Sequence, residues 1–199
     1  MSTKMIEIKT RSEKITPEIT SLVDLQLEAG MGVLIYGENG IGKTSLLKKI
    51  IEKYQNQYSM SYAFQESLDL FYDRTICEIK RTVNRTLKDV IDTKKLDELF
   101  SSFSLEQKGN RTLSQLSGGE MQSLKLSLSF AKLADIYIFD EPLKALDLEK
   151  KIIVMRNLEN LLFHNKVVLV VEHQLLSFDS SWQKLKLVQK NLFLQMEER

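Results

Sequence analysis

The eight residues "GENGIGKT", Gly37 to Thr44, constrain this chain more than any other stretch. They fit the pattern G-x-x-x-x-G-K-[ST]. Before them lies a short apolar run, "VLIY" at 33 to 36, and after them Leu46, Leu47, Ile50, Ile51 and Tyr54 recur at helical spacing. An apolar run of that length, ending in glycine, reads as a strand buried on both faces, so the order is strand, loop, helix. Glycines in such a loop let successive backbone N–H groups curl round a phosphate, and the helix N-terminus adds its partial positive charge. Lys43 can then reach the terminal phosphates, and the Thr44 hydroxyl suits Mg²⁺. A glycine-rich turn that matches by chance is the bland alternative, and the flanking strand and helix argue against it. Nucleotide binding follows, although many NTPase classes share the loop.

The other apolar runs repeat the alternation. "VDLQLE" sets Val23, Leu25 and Leu27 against polar neighbours at period two, "YSMSYAF" at 58 to 64 suggests a further strand, and "IYIF" at 136 to 139 and "VVLVV" at 167 to 171 are continuous. A helical stretch with Ile152, Ile153, Met155, Leu158 and Leu161 precedes the last of these. Strands alternating with helices predict an α/β fold with a mostly parallel sheet. From about Asp73 to Phe103, Ile76, Ile79, Val83, Leu87 and Val90 form a helical stripe, which predicts a helical lobe. The tail "LKLVQKNLFLQ" reads as a hairpin turning near Gln189 to Asn191. "SLKLSLSF", Ser123 to Phe130, alternates without a break, and its period alone indicates a strand. As a helix it would carry two stripes, Leu124, Leu128, Ala131 and Leu126, Phe130, Leu133, and be buried almost all round; the local pattern leaves both open.

Composition narrows the class. A chain of 199 residues suits one well-filled domain, and 43% hydrophobic with 28% charged residues is a soluble globular balance. The longest aliphatic run, Val167 to Val171, is far short of a membrane span, and the start "MSTKMIEIKTRSEK" has no signal-peptide apolar core, so a cytoplasmic protein is expected. Net charge is +1, which gives no overall field toward nucleic acid. Cys77, the one cysteine, is expected to be a buried small hydrophobe, and with two histidines the chain offers no zinc cluster.

Two more stretches carry chemistry. In "IYIFDE", Asp140 ends a buried strand, where an open α/β sheet binds ligand and a carboxylate can hold a metal's hydration shell. Glu141 can polarise a water for attack on a γ-phosphate. The bland reading is a strand that ends and turns with "DEP". In "LSGGE", Leu116 to Glu120, a serine and two glycines interrupt an otherwise apolar stretch.

Taken in order, "GENGIGKTS", "FQES" with Gln65, "LSGGE", "IYIFDEP", "ALD" at 145 to 147 and "VVEHQ" with His173 resemble the ATPase domains of ABC (ATP-binding cassette) proteins, over Gly37 to His173. The resemblance implies a P-loop NTPase fold with an ABC-type core, a mostly parallel sheet, a reduced antiparallel β subdomain and a helical lobe. It implies one domain over 1–199, its core at about 1–65 and 135–199 and its lobe at about 66–134. It places a helix over residues 120 to 133, against the local period. It also implies ATP and Mg²⁺ as cofactors. Gly37, Glu38, Asn39, Gly40, Ile41, Gly42, Lys43, Thr44 and Ser45 would cradle the phosphates. Thr44, Gln65 and Asp140 would serve the metal, Glu141 would polarise the water, Gln65 would sense it, and His173 would donate to the γ-phosphate. Without the family, Gln65 would be a surface residue and His173 a structural one. Two domains are implied to pack head to tail, so that Ser117, Gly118 and Gly119 reach the partner's nucleotide. Asp147 would lie in the turn along that seam, where a helix N-cap is the alternative.

The sequence also departs from the family pattern. Residues 1 to 35 hold no aromatic to stack on adenine, the stretch from Lys43 to Gln65 is short, Ser123 stands where arginine is common, and Lys144 where a small polar residue is usual. The implied function is the ATP-hydrolysing subunit of a transporter. It would act as a homodimer, or as a heterodimer with a paralogue, driving a separate integral membrane subunit from the cytoplasmic face. A groove lined by "QESLDLFYD", Gln65 to Asp73, would receive that subunit, with Leu68, Leu70, Phe71 or Tyr72 exposed in it or else packed in the lobe. The alternative is a soluble ABC ATPase acting on nucleic acid or ribosomes; no coiled-coil arm, second cassette or basic extension is visible, so direct nucleic-acid contact is not expected. An unrelated P-loop enzyme such as a small-molecule kinase would leave "LSGGE" and the His173 strand unexplained.

Overall fold

The computed structural model describes residues 14–16, 19–21, 27–63, 71, 73–173, 182–188 and 191–194. Its elements run β1 (Lys14–Thr16), β2 (Ile19–Ser21), β3 (Gly32–Tyr36), α1 (Lys43–Tyr54), β4 (Met60–Ala63), α2 (Ile76–Thr86), α3 (Thr93–Ser102), α4 (Gly118–Ala131), β5 (Ile136–Asp140), α5 (Leu148–Phe163), β6 (Val167–Glu172), β7 (Trp182–Val188) and β8 (Asn191–Leu194). The chain separates into two compact units, Met1–Met60 with Asp135–Glu141 and Glu159–Arg199, and Ser61–Ala134 with Pro142–Leu158.

In the first unit the sheet runs β1-β2-β8-β7-β3-β6-β5. Its centre, β7-β3-β6-β5, is parallel throughout. The three inner strands are apolar because both of their faces are covered: every residue of β3 and β6 is buried, and in β5 only the terminal Asp140 is not. α1 buries Leu46, Leu47, Ile50, Ile51 and Tyr54, the stripe read from the sequence. β7 and β8 form the expected antiparallel hairpin, with Val188 opposite Asn191. β4 carries the chain into the second unit.

The second unit is helical. α2 buries Ile76, Ile79 and Val83, but the stripe stops there: the helix ends at Thr86, and Leu87 and Val90 are 43% and 42% exposed. Backbone bonds from Asp92 N to Ala131 O and from Leu133 N to Val90 O tie that turn to the end of α4. α3 adds Leu96, Leu99 and Phe100 to the core. Cys77 is half-buried rather than enclosed. α4 is a helix, against its period-two sequence, and ends at Ala131, leaving Leu133 exposed. On α5 the buried residues are Val154 and Leu158, while Ile152 faces water, so the apolar face is shifted from the one read in the sequence. Val23 to Gln26 and Phe64 lie outside the described residues. No helix among the described residues is long and apolar enough to cross a membrane.

Phe139 is fully buried in β5, whereas Phe163 at the end of α5 is 84% exposed. Phe139→Ala is expected to lower unfolding free energy by about 3–5 kcal/mol, and Phe163→Ala to change it by no more than about 0.5 kcal/mol. Urea midpoints of the two variants check this; equal shifts would contradict the layering.

Candidate active site

Strand register assembles one edge of the first unit. Tyr36 of β3 lies opposite Glu172 of β6, and Asp140 of β5 opposite Val171. The three C-terminal ends are therefore level, and the next residues, Gly37, Glu141 and His173, emerge side by side, where ligands bind to open α/β sheets.

The loop after β3 runs into α1 through Gly42, whose φ of 106° is the left-handed conformation that glycine tolerates. α1 differs from α2, α3 and α4: those are capped by Thr75, Asp92 and Ser117, whereas α1 has no side-chain cap. Its first N–H groups carry no side-chain cap, which with the positive end of its dipole suits an anion. Glu38, Asn39 and Gly40 are exposed along the loop, as are Thr44 and Ser45, with Ile41 half-buried.

Lys43 is only 6% exposed. Its Nζ donates to Gly37 O and Glu38 O, both at 2.8 Å, and lies 3.4 Å from His173 Nδ1. Burial pushes its pKa down, while Glu141, then Asp140 and Glu172, pull it back toward the charged form. The Thr44 hydroxyl donates to Asp140 Oδ2 at 2.6 Å. These two hard oxygens, a hydroxyl and a carboxylate, are the donor set that Mg²⁺ accepts beside phosphate oxygens. Among the described residues, no group of three or more His, Cys, Asp or Glu forms a metal cage of its own.

Glu141 occupies the left-handed region at φ 50°, uncommon for a non-glycine residue, and its N–H donates to Val171 O at 2.9 Å. That bond fixes the turn out of β5. The Glu141 carboxylate meets His173 Nε2 at 2.7 Å. Lys43, Thr44, Asp140, Glu141 and His173 are thus brought together. Glu172 joins them, a carboxylate only 8% exposed and one of those acting on Lys43. The sequence reading passed over it, although a glutamate closing "VVLVVE" was a visible signal.

The "LSGGE" corner belongs to the second unit. Ser117 is the N-cap of α4 in a complete capping box: Ser117 N donates to Glu120 Oε2 at 2.8 Å and Glu120 N to Ser117 Oγ at 3.3 Å. Lys108 Nζ lies 2.6 Å and Arg111 3.5 Å from Glu120 Oε1. The Lys108 ammonium and the Ser117 N–H hold the Glu120 carboxyl down at about 2. Neither cation was legible in the sequence. Asp147 N-caps α5: its carboxylate accepts from Lys150 N at 2.9 Å and Lys150 Nζ at 2.7 Å. Gln65 lies outside the described residues.

A sheet with a lysine loop, an uncapped helix and two strand-end carboxylates at one edge defines a phosphate-loop nucleotide-binding domain. Within that class the chain belongs to the ABC transporter family, whose model matches residues 21–144. It is 28% identical over 176 residues to translation initiation factor RLI1 of Chaetomium thermophilum, covering 73% of this chain and 29% of that protein. It is 26% identical over 199 residues to a protein of Caldanaerobacter subterraneus described as an ABC transporter ATP-binding protein, covering 86% and 82%. The solved ATP-binding subunit of an ABC transporter superposes with a TM-score of 0.71 at 20% identity, covering 88% and 81%. The chain spans less than a third of the length of the first relatives it matches.

The two glycines of the corner differ in one respect. A Cβ on Gly119 would meet Ala145 O at 2.6 Å, whereas one on Gly118 would come no closer than 3.7 Å to Ala145 Cβ. Gly119→Ala is therefore expected to lower the melting temperature by several degrees, and Gly118→Ala to leave it within about 2 °C. Thermal unfolding of both variants followed by circular dichroism decides it; equal melting points would contradict the close approach.

Proposed function

We propose that this chain is the ATP-hydrolysing subunit of an ABC transporter, in which two ATPase domains close on two Mg·ATP and reopen after hydrolysis. The convergence of Lys43, Thr44, Asp140, Glu141 and His173 at one sheet edge carries the hydrolytic part of this reading. In it the two units are core and lobe of one domain. The phosphates lie along residues 37 to 45, where the α1 N–H groups and the Lys43 ammonium meet them. Thr44 and Asp140 would hold Mg²⁺, with Gln65 assigned by the family resemblance, and the ion would supply charge neutralisation to the phosphates. Glu141 accepts the proton of the water whose oxygen attacks the γ-phosphorus, as the bond to the β-bridging oxygen breaks and ADP leaves. His173, already on Glu141, donates to the γ-phosphate. Ser117, Gly118 and Gly119 of one copy complete the site of the other, and Asp147 lies along the seam.

The transport part rests on the family and on an apolar hollow of about 460 Å³ in the second unit, lined among others by Tyr62, Phe71, Val83, Leu87, Val90 and Leu128. Tyr62, Leu87 and Val90 are each more than 40% exposed there, which suits a docking surface for an apolar helix of a separate membrane subunit on the cytoplasmic side. Of the groove residues read from the sequence, Phe71 lines this hollow; Leu68, Leu70 and Tyr72 lie outside the described residues.

A second reading, a soluble ABC ATPase acting on RNA or ribosomes, is favoured by a separate observation. Three of the chain's seven arginines, Arg74, Arg81 and Arg85, line one hollow of about 220 Å³ with Glu78 and Thr82. Guanidinium forks from α2 and the turn before it suit phosphates, and the chain resembles a translation initiation factor. Affinity purification from native cells distinguishes the two: an integral membrane protein supports transport, and ribosomal RNA supports the second reading.

Glu141→Gln is expected to keep ATP binding, lower hydrolysis by about 10²-fold or more, and let an ATP-bound dimer accumulate. Steady-state phosphate release and size-exclusion chromatography in ATP test this, and wild-type turnover would remove Glu141 from the mechanism. With no aromatic in residues 1 to 35, preference for ATP over GTP is expected to be weaker than an aromatic platform would give; competition binding that shows strong adenine selectivity would refute that.

A further inference from the structure

Lys108 has no place in the hydrolytic chemistry, yet it makes the shortest ion pair of the "LSGGE" corner. Its Nζ is 2.6 Å from Glu120 Oε1, and the pair is sheltered, the Lys108 and Glu120 side chains being 27% and 15% exposed. The other oxygen of the same carboxylate accepts the Ser117 N–H at 2.8 Å. Glu120 is therefore gripped from one side by an ammonium and fixes the serine backbone from the other. The Ser117 hydroxyl accepts from Glu120 N at 3.3 Å, so its own proton remains available to donate outward.

The loop that carries Lys108 is itself anchored. Cys77 N donates to Gly109 O at 2.9 Å and Ile76 N to Arg111 O at 3.0 Å, so carbonyls of this loop satisfy N–H groups in the first turn of α2. A bridge between Thr75 and Thr112 continues the seam. Arg111, at 3.5 Å, adds a second cation to the same carboxylate oxygen. An exposed capping box on a surface helix holds its serine only loosely, because the glutamate side chain is free to swing into water. Here the glutamate is clamped to a loop fastened to α2.

We propose that Lys108 is a positioning residue: acting through Glu120, it fixes the backbone and hydroxyl of Ser117 in the orientation presented to the nucleotide held by a second ATPase domain. The inference rests on the two-domain reading above. It joins Ser117 to α2 by a chain of direct bonds, since any shift of the first turn of α2 moves the loop that holds Glu120.

The test compares Lys108→Met, Lys108→Arg and Ser117→Ala in the full chain, with amide hydrogen exchange by NMR and ATP hydrolysis as readouts. In Lys108→Met, the Ser117 amide is expected to exchange about 5- to 10-fold faster while the amides of Leu124 to Phe130 keep wild-type rates. Hydrolysis is expected to fall about tenfold with unchanged ATP affinity, and Lys108→Arg to restore both readouts to within about twofold. Unchanged Ser117 exchange in Lys108→Met, or Lys108→Arg as defective as Lys108→Met, would overturn the proposal. So would wild-type hydrolysis in Lys108→Met alongside its loss in Ser117→Ala. Wild-type hydrolysis in Ser117→Ala would instead sink the two-domain reading, while the exchange rates still decide whether Lys108 positions the serine.

Discussion

The site depends on the register of three parallel strands. β3, β6 and β5 are locked by pairings that set Tyr36 against Glu172 and Asp140 against Val171. Because successive side chains point to opposite faces, a slip of one residue in any of the three would turn its whole row over. Asp140 or Glu172 would then fall out of line with the other strand ends, and the residues packed on both faces would lose their fitted neighbours. The burial of Val168, Leu169, Val170, Ile138 and Leu34 therefore fixes more than stability. It aligns the ends of three strands, and the titratable groups gather there: Asp140 and Glu172 close β5 and β6, Glu141 and His173 follow them, and Lys43 opens α1.

Within that edge the charges form an interdependent set. Burial alone would push the Lys43 ammonium toward its neutral form, and three carboxylates offset that tendency. Glu141 is the largest of these influences, and it also binds His173, whose other ring nitrogen lies near Lys43. Lysine and glutamate are thus linked through the imidazole of His173. The backbone adds rigidity: Glu141, at φ 50°, is tied by its N–H to Val171 O, which fixes the direction in which its side chain leaves β5.

Much of this was legible because the relevant signals were local. An apolar run of four or five residues bounded by turn signals is too short for a helix and reads as an inner strand, and glycine-rich "GENGIGKT" between such a run and an amphipathic helix has few physical solutions. α4 was the hard case, and its serines explain why. Ser123 Oγ donates to Gly119 O at 2.7 Å and Ser127 Oγ to Ser123 O at 2.8 Å, each returning its hydroxyl to the helix one turn back. Serines satisfied in this way can be buried, so a polar-apolar alternation no longer separates an inside from an outside. The family resemblance resolved a helix that periodicity alone could not. Other features depend on tertiary partners and leave no trace in spacing, such as the end of α2 at Thr86, with Leu87 and Val90 turned to water, and the grip of Lys108 on Glu120.

The interrupted stretch "LSGGE" divides its permissiveness between two needs. Gly119 is required by the chain's own packing, since the carbonyl of Ala145, itself at φ 61°, occupies the space a Cβ would take. Gly118 has no such neighbour and no left-handed φ, and alanine would suit the first turn of a helix better. Folding therefore supplies a reason for one glycine and none for the other. A bare backbone at the uncrowded N-terminus of α4, beside an exposed serine whose oxygen accepts in the cap and whose proton is left to donate, suits the close approach of an anionic group. On the reading proposed above, that group is a phosphate carried by another copy, and Gly118 is the position where the demands of the ligand outweigh those of the helix.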